Sequence, residues 1–303
     1  MTAFASIDIG TNTILLLVAE VENGRIKPLA EREAVARLGQ GLYKSGLLSK
    51  EAMERGIGIL ARYLEECRAF PAKEIFAVGT SALREAGNSD EFLEMSKKQL
   101  GLAIDIISGE EEARLSFLAV SKDLGETLKR MMVVDIGGGS TEFILGKGNQ
   151  IDRWMSLPLG SVRFTEQFLL SDPVTAEEWM NLQEGIRTLL AGIPHPKEPF
   201  AFVAVGGTAT TLASVEQGLK EFILERIHRF VLTKASLEQQ LRLYRSKTHD
   251  ERRGIPGLPA TRADVILAGG AILHMVMDEF QHPSVLISAH GVRYGLLYRR
   301  LNL

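Results

Sequence analysis

The chain has 303 residues and a mass of 33.3 kDa, more than the about 100–200 residues that one hydrophobic core usually serves, so two lobes of similar size are expected. Its 45% hydrophobic and 24% charged content is that of an ordinary water-soluble globular protein. A net charge of −3 excludes a whole-protein positive field able to hold a nucleic-acid duplex, so a polyanionic ligand would need a local basic lane.

The N-terminus enters a strand-like run, Phe4–Ile7, without a basic leader. The apolar stretches Ile14–Val18 and Met132–Val134 fall far short of the roughly 20 residues a membrane span needs. A cytoplasmic protein with no membrane partner is therefore expected. The first run continues into the polar turn Asp8-Ile9-Gly10-Thr11-Asn12-Thr13, returns as Ile14–Val21 and stops at Asn23-Gly24. Glu51–Arg68 has helical spacing and carries Cys67, the single cysteine, which rules out an internal disulfide framework and a thiolate-rich zinc site. In that setting Cys67 reads as a small buried apolar residue rather than a reactive thiol. Glu74–Gly79 reads as a strand, Asp90–Leu100 as a helix and Ala103–Ile107 as another strand.

The first motif then repeats. Met131–Val134 leads into Asp135-Ile136-Gly137-Gly138-Gly139-Ser140-Thr141, Glu142–Leu145 returns, and Gly146–Asn149 turns, 127 positions after the first copy. A repeat of that length marks a duplicated domain, not a solenoid. Thr175–Leu190 is helical, Ile193–Pro199 is a Pro-rich surface connection, and Phe202–Val205 is a short strand running into Gly206-Gly207-Thr208. Arg262–Phe280 reads as a long helix, Val285–Ser288 as a strand, and Gly291–Leu301 as a last helix able to pack back on the first lobe. Strands alternating with helices indicate mixed α/β layers.

Three polar turns thus follow apolar strands: Gly10–Thr13, Gly137–Thr141 and Gly206–Thr208. Glycine lets backbone approach an anion, and hydroxyls and amides can donate to its oxygens. One such turn alone is more simply a tight hairpin; three, two of them duplicated, favour phosphate. None matches the P-loop or the dinucleotide fingerprint. Asp8 and Asp135 stand at the mouths of the first two turns, where a carboxylate facing phosphate would be repelled unless a hard cation such as Mg²⁺ lay between. Glu142 on the returning strand could add a second carboxylate, while hydrogen bonding of each Asp to its own turn amides remains the alternative.

Ser108-Gly109-Glu110-Glu111-Glu112-Ala113-Arg114 opens a helix, with Ser108 and Glu111 in capping-box spacing and acids complementing the helix dipole. That leaves Glu112 without a structural task, and a carboxylate beside a phosphate can serve as general base for water. Arg84, Arg262 and Arg293 could fork onto phosphate oxygens, although each alone is more often a surface ion-pair partner. Arg242, Arg245, Lys247, Arg252 and Arg253 form either a solvated face or a substrate lane. His249-Asp250 lacks the further His and Asp ligands of a di-metal centre and reads as surface.

At this point the chain resembles a known family, the exopolyphosphatases and guanosine pentaphosphate phosphohydrolases, within the actin, sugar-kinase and heat-shock ATPase superfamily. The resemblance spans the chain through Ile7–Thr13, Thr80-x-Ala82-x-Arg84-x-Ala86-x-Asn88, Ser108-Gly109-x-Glu111-Glu112-Ala113-Arg114, Asp135–Glu142 and Gly206–Thr210. It implies a duplicated actin-like, ribonuclease H-like α/β fold of two lobes with the active site in the cleft between them. Residues 1–120 with 292–303 would form the first lobe and 121–291 the second. By the resemblance Glu112 takes the place of the catalytic base and Arg84 that of an active-site arginine, while Asp135 and Glu142 take those of the acids binding Mg²⁺ or another divalent cation. Gly10, Thr11, Asn12, Thr13, Gly137, Gly138, Gly139, Ser140, Thr141, Gly206, Gly207, Thr208 and Arg262 would line the phosphates.

The implied substrate is polyphosphate or guanosine pentaphosphate, losing its terminal phosphate to water; a homodimer is admitted but not required. A non-catalytic alarmone sensor and a sugar-kinase-like phosphotransferase are the competing readings on the same fold. Two departures stand out: Tyr294 occupies a position where the family commonly has an acid, and the chain resembles the short form without a C-terminal HD-like helical domain.

Overall fold

The computed structural model describes residues 2–303. Eleven strands are seen among them: β1 Ala3–Ile9, β2 Thr13–Glu22, β3 Arg25–Val35, β4 Ile75–Gly79, β5 Asp105–Ile106, β6 Arg130–Ile136, β7 Thr141–Lys147, β8 Gln150–Leu157, β9 Ala201–Val205, β10 Val231–Thr233 and β11 Ser284–Ile287. The helices are α1 Leu42–Ser45, α2 Lys50–Ala69, α3 Ser81–Glu85, α4 Ser89–Leu100, α5 Gly109–Leu124, α6 Ser161–Phe168, α7 Ala176–Leu190, α8 Gly206–Glu216, α9 Leu224–Ile227, α10 Lys234–Arg245, α11 His249–Arg252, α12 Ile266–Glu279 and α13 Val292–Arg300. The chain divides into two compact units, one running up to Ala119 and resuming at Gly291–Leu303, the other Val120–His290. No helix among the described residues is long and apolar enough to cross a membrane.

Each unit carries one mixed sheet, ordered β3-β2-β1-β4-β5 in the first and β10-β11-β9-β6-β7-β8 in the second. Read from β8 inward, the second order repeats the first, an antiparallel three-strand meander followed by two parallel strands, and adds β10 antiparallel at the edge. The repeat holds to single residues. Asp8 pairs with Val78 across the parallel β1–β4 edge, and Asp135 pairs with Val205 across β6–β9, each residue displaced by the same 127 positions. The two units are therefore copies of one actin-like α/β layer plan.

In the first unit β1 is central and buried on both faces, which its apolar run requires. The meander edge β3 is polar and exposed, with Pro28 beside the register shift at Val18/Ala19, where a missing N–H costs no ladder bond. On one face α2 packs its buried row Met53, Ile57, Leu60, Leu64 and Cys67 into a core with Ile7, Ile9 and Phe92. Ser49 caps this helix by accepting from the Ala52 amide at 3.2 Å. Burial raises the Cys67 thiol to about 11, as an unreactive apolar role demands. The other face is covered by α13 and α5, through Tyr294, Leu297, Leu296 and Leu115.

That face is pinned from β3: Glu31 receives the Arg293 guanidinium and, at 2.8 Å, the Tyr294 hydroxyl. Arg293 is thereby a buried anchor of α13 in its own unit, and Ser6 Oγ reinforces it by donating to the Arg293 carbonyl at 2.7 Å.

The second unit is built around α12, apolar on nearly every side and buried along its length, as a helix at the centre of a core must be. Helices α6, α7, α8 and α10 pack around it. Two expectations change here. The long helix from Arg262 begins instead at Ile266, preceded by a separate 3₁₀ turn, Ala260–Arg262. In the first unit the strand expected over Ala103–Ile107 shrinks to Asp105–Ile106, which pairs with Val78 and Gly79 of β4.

Close packing of α13 gives a first test. A Cβ on Gly295 would lie 1.9 Å from the Leu115 carbonyl oxygen, a backbone atom that cannot swing aside. Gly295→Ala is expected to destabilise the protein by about 1–3 kcal/mol, seen as a lower urea midpoint. An unchanged midpoint would mean that α13 is not held against α5 as described.

Candidate active site

In the first unit the β1–β2 hairpin closes with the Gly10 amide donating to Thr13 O at 2.9 Å. The turn is then bolted to the segment after β3: Asn12 O accepts from the Ala36 and Arg37 amides, and Thr11 O from Gly39, all within 3.0 Å. Thr11 and Asn12 are buried by this attachment. Next to β1, β4 ends at Gly79 and α3 projects Arg84, whose Nη1 donates to Ile107 O at 2.9 Å and to Glu112 Oε2 at 3.0 Å. Glu112, at 8% exposure, is thus brought to Arg84 from 28 residues away in sequence.

The start of α5 separates its three acids. Ser108 Oγ caps the helix by accepting from the Glu111 amide at 3.1 Å. The reciprocal half of the expected capping box gives way to an ion pair between the Glu111 side chain and Arg299 of α13. Glu110 pairs with Arg114 one turn on. Glu112 alone is turned to the buried side beside Arg84.

In the second unit Asp135 of β6 and Glu142 of β7 lie directly opposite each other in the antiparallel register. They are 9% and 1% exposed. Ser156, the next residue in register on β8, donates to Glu142 Oε1 at 2.8 Å. Between the acids the chain turns at Gly137–Ser140, closed by the Gly137 amide on Ser140 O at 3.0 Å. Helix α6 consumes the carbonyl side of the turn. The Ser161 amide donates to Gly137 O, the Val162 and Arg163 amides to Gly138 O, and Arg163 Nε to Gly139 O at 2.8 Å. Amides are then what the turn can offer an anion. A Cβ at Gly160 would sit 2.3 Å from Gly138 O, so the approach of α6 depends on that glycine. Thr141 serves the framework instead, fully buried with its hydroxyl donated to Leu159 O.

The expected third turn, Gly206-Gly207-Thr208, is the first turn of α8 rather than a loop. Parallel register sets it beside Asp135: an added Cβ at Gly206 would fall 2.9 Å from Asp135 Oδ1. Over Gly207 lies the Arg262 guanidinium, whose Nη2 would be 2.1 Å from a Cβ there. Thr208 packs against Gly269 of α12. The second unit therefore gathers two buried carboxylates, a glycine turn, a helix N-terminus and an arginine. Helix N-termini and arginines attract phosphate, and oxygen-only acids suit a hard divalent cation.

The basic group expected as a face or lane resolves into separate pairings. Arg242 pairs with Glu238, Arg253 with Asp250, and Arg245 lies 4.6 Å above the Trp179 ring, while Arg252 is wholly buried. His249 and Asp250 open α11, which Thr248 and Glu251 cap; the His249 amide donates to Asp172, and Asp250 pairs with Arg253. Asp123, His228 and His290 form another cluster with metal-compatible atoms within 4.8 Å of one another. Its bonding opposes a metal. His228 Nδ1 accepts from the Ala289 amide at 3.2 Å, which leaves the proton on Nε2, 3.0 Å from Asp123 Oδ2. Coordination through Nε2 would set an Nδ1 proton against that amide. Burial opposes ionisation of Asp123, but contacts from His228 and Arg229 prevail and hold its pKa down at about 2.

Sequence reasoning passed over Ser156, Gly160 and Arg163. Ser156 and Arg163 have no motif of their own; their roles follow from register and from the packing of α6.

A profile of the Ppx/GppA phosphatase family matches residues 17–303. Among curated proteins, a guanosine-5'-triphosphate,3'-diphosphate pyrophosphatase of Vibrio vulnificus is 34% identical over 300 residues, covering 99% of this chain and 59% of that protein. A bifunctional 3-dehydroquinate synthase/phosphatase of Fusobacterium nucleatum is 33% identical over 310 residues, covering 97% and 46%. The chain spans about half the length of these curated relatives. Among solved structures, the Aquifex aeolicus member of the Ppx/GppA family is 33% identical with a TM-score of 0.83, covering 99% of this chain and 98% of that one. An exopolyphosphatase from Cytophaga hutchinsonii is 25% identical with a TM-score of 0.89 over 99% and 98% of the two chains. With the profile running through both units, and relatives a third identical along nearly the whole chain, the protein belongs to the Ppx/GppA phosphatase family.

Proposed function

We propose that the protein hydrolyses the terminal phosphoanhydride of polyphosphate or of a guanosine pentaphosphate, using Mg²⁺ or another divalent cation. The observation that carries this reading is the facing pair Asp135 and Glu142, buried and in register beside a glycine turn and the start of α8. Two carboxylates directly opposed on neighbouring strands offer oxygen ligands from one buried place, the ligand type that a hard divalent cation takes. The names of the relatives, a pyrophosphatase acting on guanosine phosphates and an exopolyphosphatase, support the same substrate class.

In this reading the amides of Gly138 and Gly139, the Ser140 hydroxyl, the first turn of α8 and Arg262 hold the phosphates, and Gly137 closes the turn that presents them. Thr141 supports the turn from behind. The cation, when bound by Asp135 and Glu142, offsets negative charge on the phosphate oxygens. Arg84 orients Glu112, which aligns the attacking water and takes its proton. The bond from phosphorus to the bridging oxygen breaks as the new one forms, releasing phosphate and the shortened polyanion. Alignment and electrostatics supply most of the rate in such transfers. The proposal extends to a cytoplasmic location and is neutral on a homodimer.

Phosphate release separates the readings. With water alone as acceptor, release from polyphosphate, guanosine pentaphosphate or nucleoside triphosphate supports hydrolysis. Transfer only to an added sugar or acid would support a kinase-like enzyme, and tight alarmone binding without product a sensor.

Glu112→Gln is expected to lose on the order of 10²–10⁴-fold in kcat with KM little changed. Near-normal kcat in the folded variant would return Glu112 to a purely structural partner of Arg84. Asp135→Asn is expected to shift the Mg²⁺ activation curve to higher concentration, since one of two cation ligands loses its charge. A titration superimposable on that of the unaltered protein would remove Asp135 from the cation site.

A further inference from the structure

We infer that Arg252 is a positioning residue for Arg262: a guanidinium inside the second unit that fixes the 3₁₀ turn and so holds Arg262 over Gly207. The inference rests on the reading of Arg262 as a phosphate ligand.

Arg252 ends α11 and is 0% exposed, the largest fully buried side chain among the described residues. Its Nε donates to Tyr244 O in the last turn of α10, at 2.8 Å, and its Nη1 to Ala263 O at 3.3 Å. Nη2 has no hydrogen-bond partner among the described residues. Asp172 and Asp264 supply opposing charge nearby. A buried cation with one nitrogen unsatisfied is a poor way to gain stability, because an apolar side chain of equal volume would avoid the desolvation cost. What the fork achieves that an apolar residue cannot is to tie two backbone carbonyls together across the connection from α10 to α12.

That tie acts on the residue that matters. Arg262 lies in the 3₁₀ turn rather than in α12, so its backbone is placed by a short turn, not a long helix. The turn's own backbone bonds are the Arg262 amide to Pro259 O at 2.8 Å and the Val265 amide to Arg262 O at 3.2 Å. Arg252 adds a hold on the adjoining Ala263 carbonyl from the core side. The same connection is seated on α8 at Gly257, where an added Cβ would meet Ser214 O at 2.4 Å. Helix α8 carries Gly207 at its other end. Arg252 and Gly257 thus brace the connection, and Arg262 leaves it to cover the helix start.

The test is a double-mutant cycle on kcat/KM for phosphate release, with inorganic phosphate binding followed by calorimetry as a second readout. Arg252→Met removes the fork at similar volume, and Arg252→Lys keeps the charge but cannot reach both carbonyls with one ammonium. Each is expected to lose on the order of 10–10²-fold in kcat/KM, as a displaced ligand does, with weaker phosphate binding. In an Arg262→Ala background either change is expected to cost little more, because the group being positioned is gone. Losses that multiply overturn the inference in favour of a fold anchor, as does failure of both Arg252 variants to fold, or a Lys variant with unaltered kcat/KM. Arg262→Ala with full activity and phosphate affinity would instead remove the phosphate role of Arg262, and the inference with it.

Discussion

Antiparallel register at the β6–β7 hairpin is the constraint on which the second unit's chemistry depends. The Gly137–Ser140 bond fixes the turn, and the turn fixes which residue faces which. A slip of one position would send Asp135 or Glu142 to the opposite face of the sheet. With the register in place, two carboxylates share one face, and parallel pairing of β6 with β9 delivers the start of α8 beside them. Ser156 completes the row from β8. The sheet therefore behaves as a jig: side chains distant in sequence become neighbours because strands pair at one offset and no other.

Duplication explains why this jig occurs twice and why only one copy carries the acid pair. Asp8 and Asp135 hold the same place in their sheets, but the residue facing Asp8 across the hairpin is Leu15, where the second copy has Glu142. The first hairpin's turn is tied to Ala36–Gly39, whereas the second is tied to α6. One ancestral motif has thus been kept as a framework and given different attachments. In the first unit Arg84 and Glu112 enter through α3 and α5, beside the meander that carries Asp8.

What was legible in the sequence followed from local pattern. Apolar runs ending at Asp8 and Asp135, the repeat itself, and the long amphipathic stretches of α2 and α7 all act over a few residues, and periodicity reports them. Gly206–Thr208 was misread as a loop because glycines next to a strand suggest a turn, while the helix that begins there is specified by burial of Ala209, Leu212 and Ala213. Arg252 was grouped with surface cations because composition cannot show that α10, α11 and α12 close over it. Its neighbours Arg242 and Arg253 do lie at the surface, paired one turn away. The contact of Tyr294 with Glu31 was not legible, because Glu31 is on a strand 263 positions earlier and meets Tyr294 only once α13 has packed.

The pairing of Glu112 with Arg84 bears on the role proposed for Glu112. The guanidinium, 3.0 Å from Glu112 Oε2, fixes where that carboxylate oxygen points. Such a hold would count for little in a reaction whose transition state demands early, complete removal of the water proton. Phosphoryl transfer through a loose transition state makes a weaker demand: the nucleophile has formed little bond at the summit, and its proton can leave late. A rigidly held, charged carboxylate then contributes chiefly by fixing where the water sits and which way its lone pair points. Arg84 is anchored on the other side by the Ile107 carbonyl, so the ion pair is braced against β5 and α5 together. A carboxylate braced in this way fits the aligning role proposed for Glu112, because alignment supplies much of the rate in phosphoryl transfer.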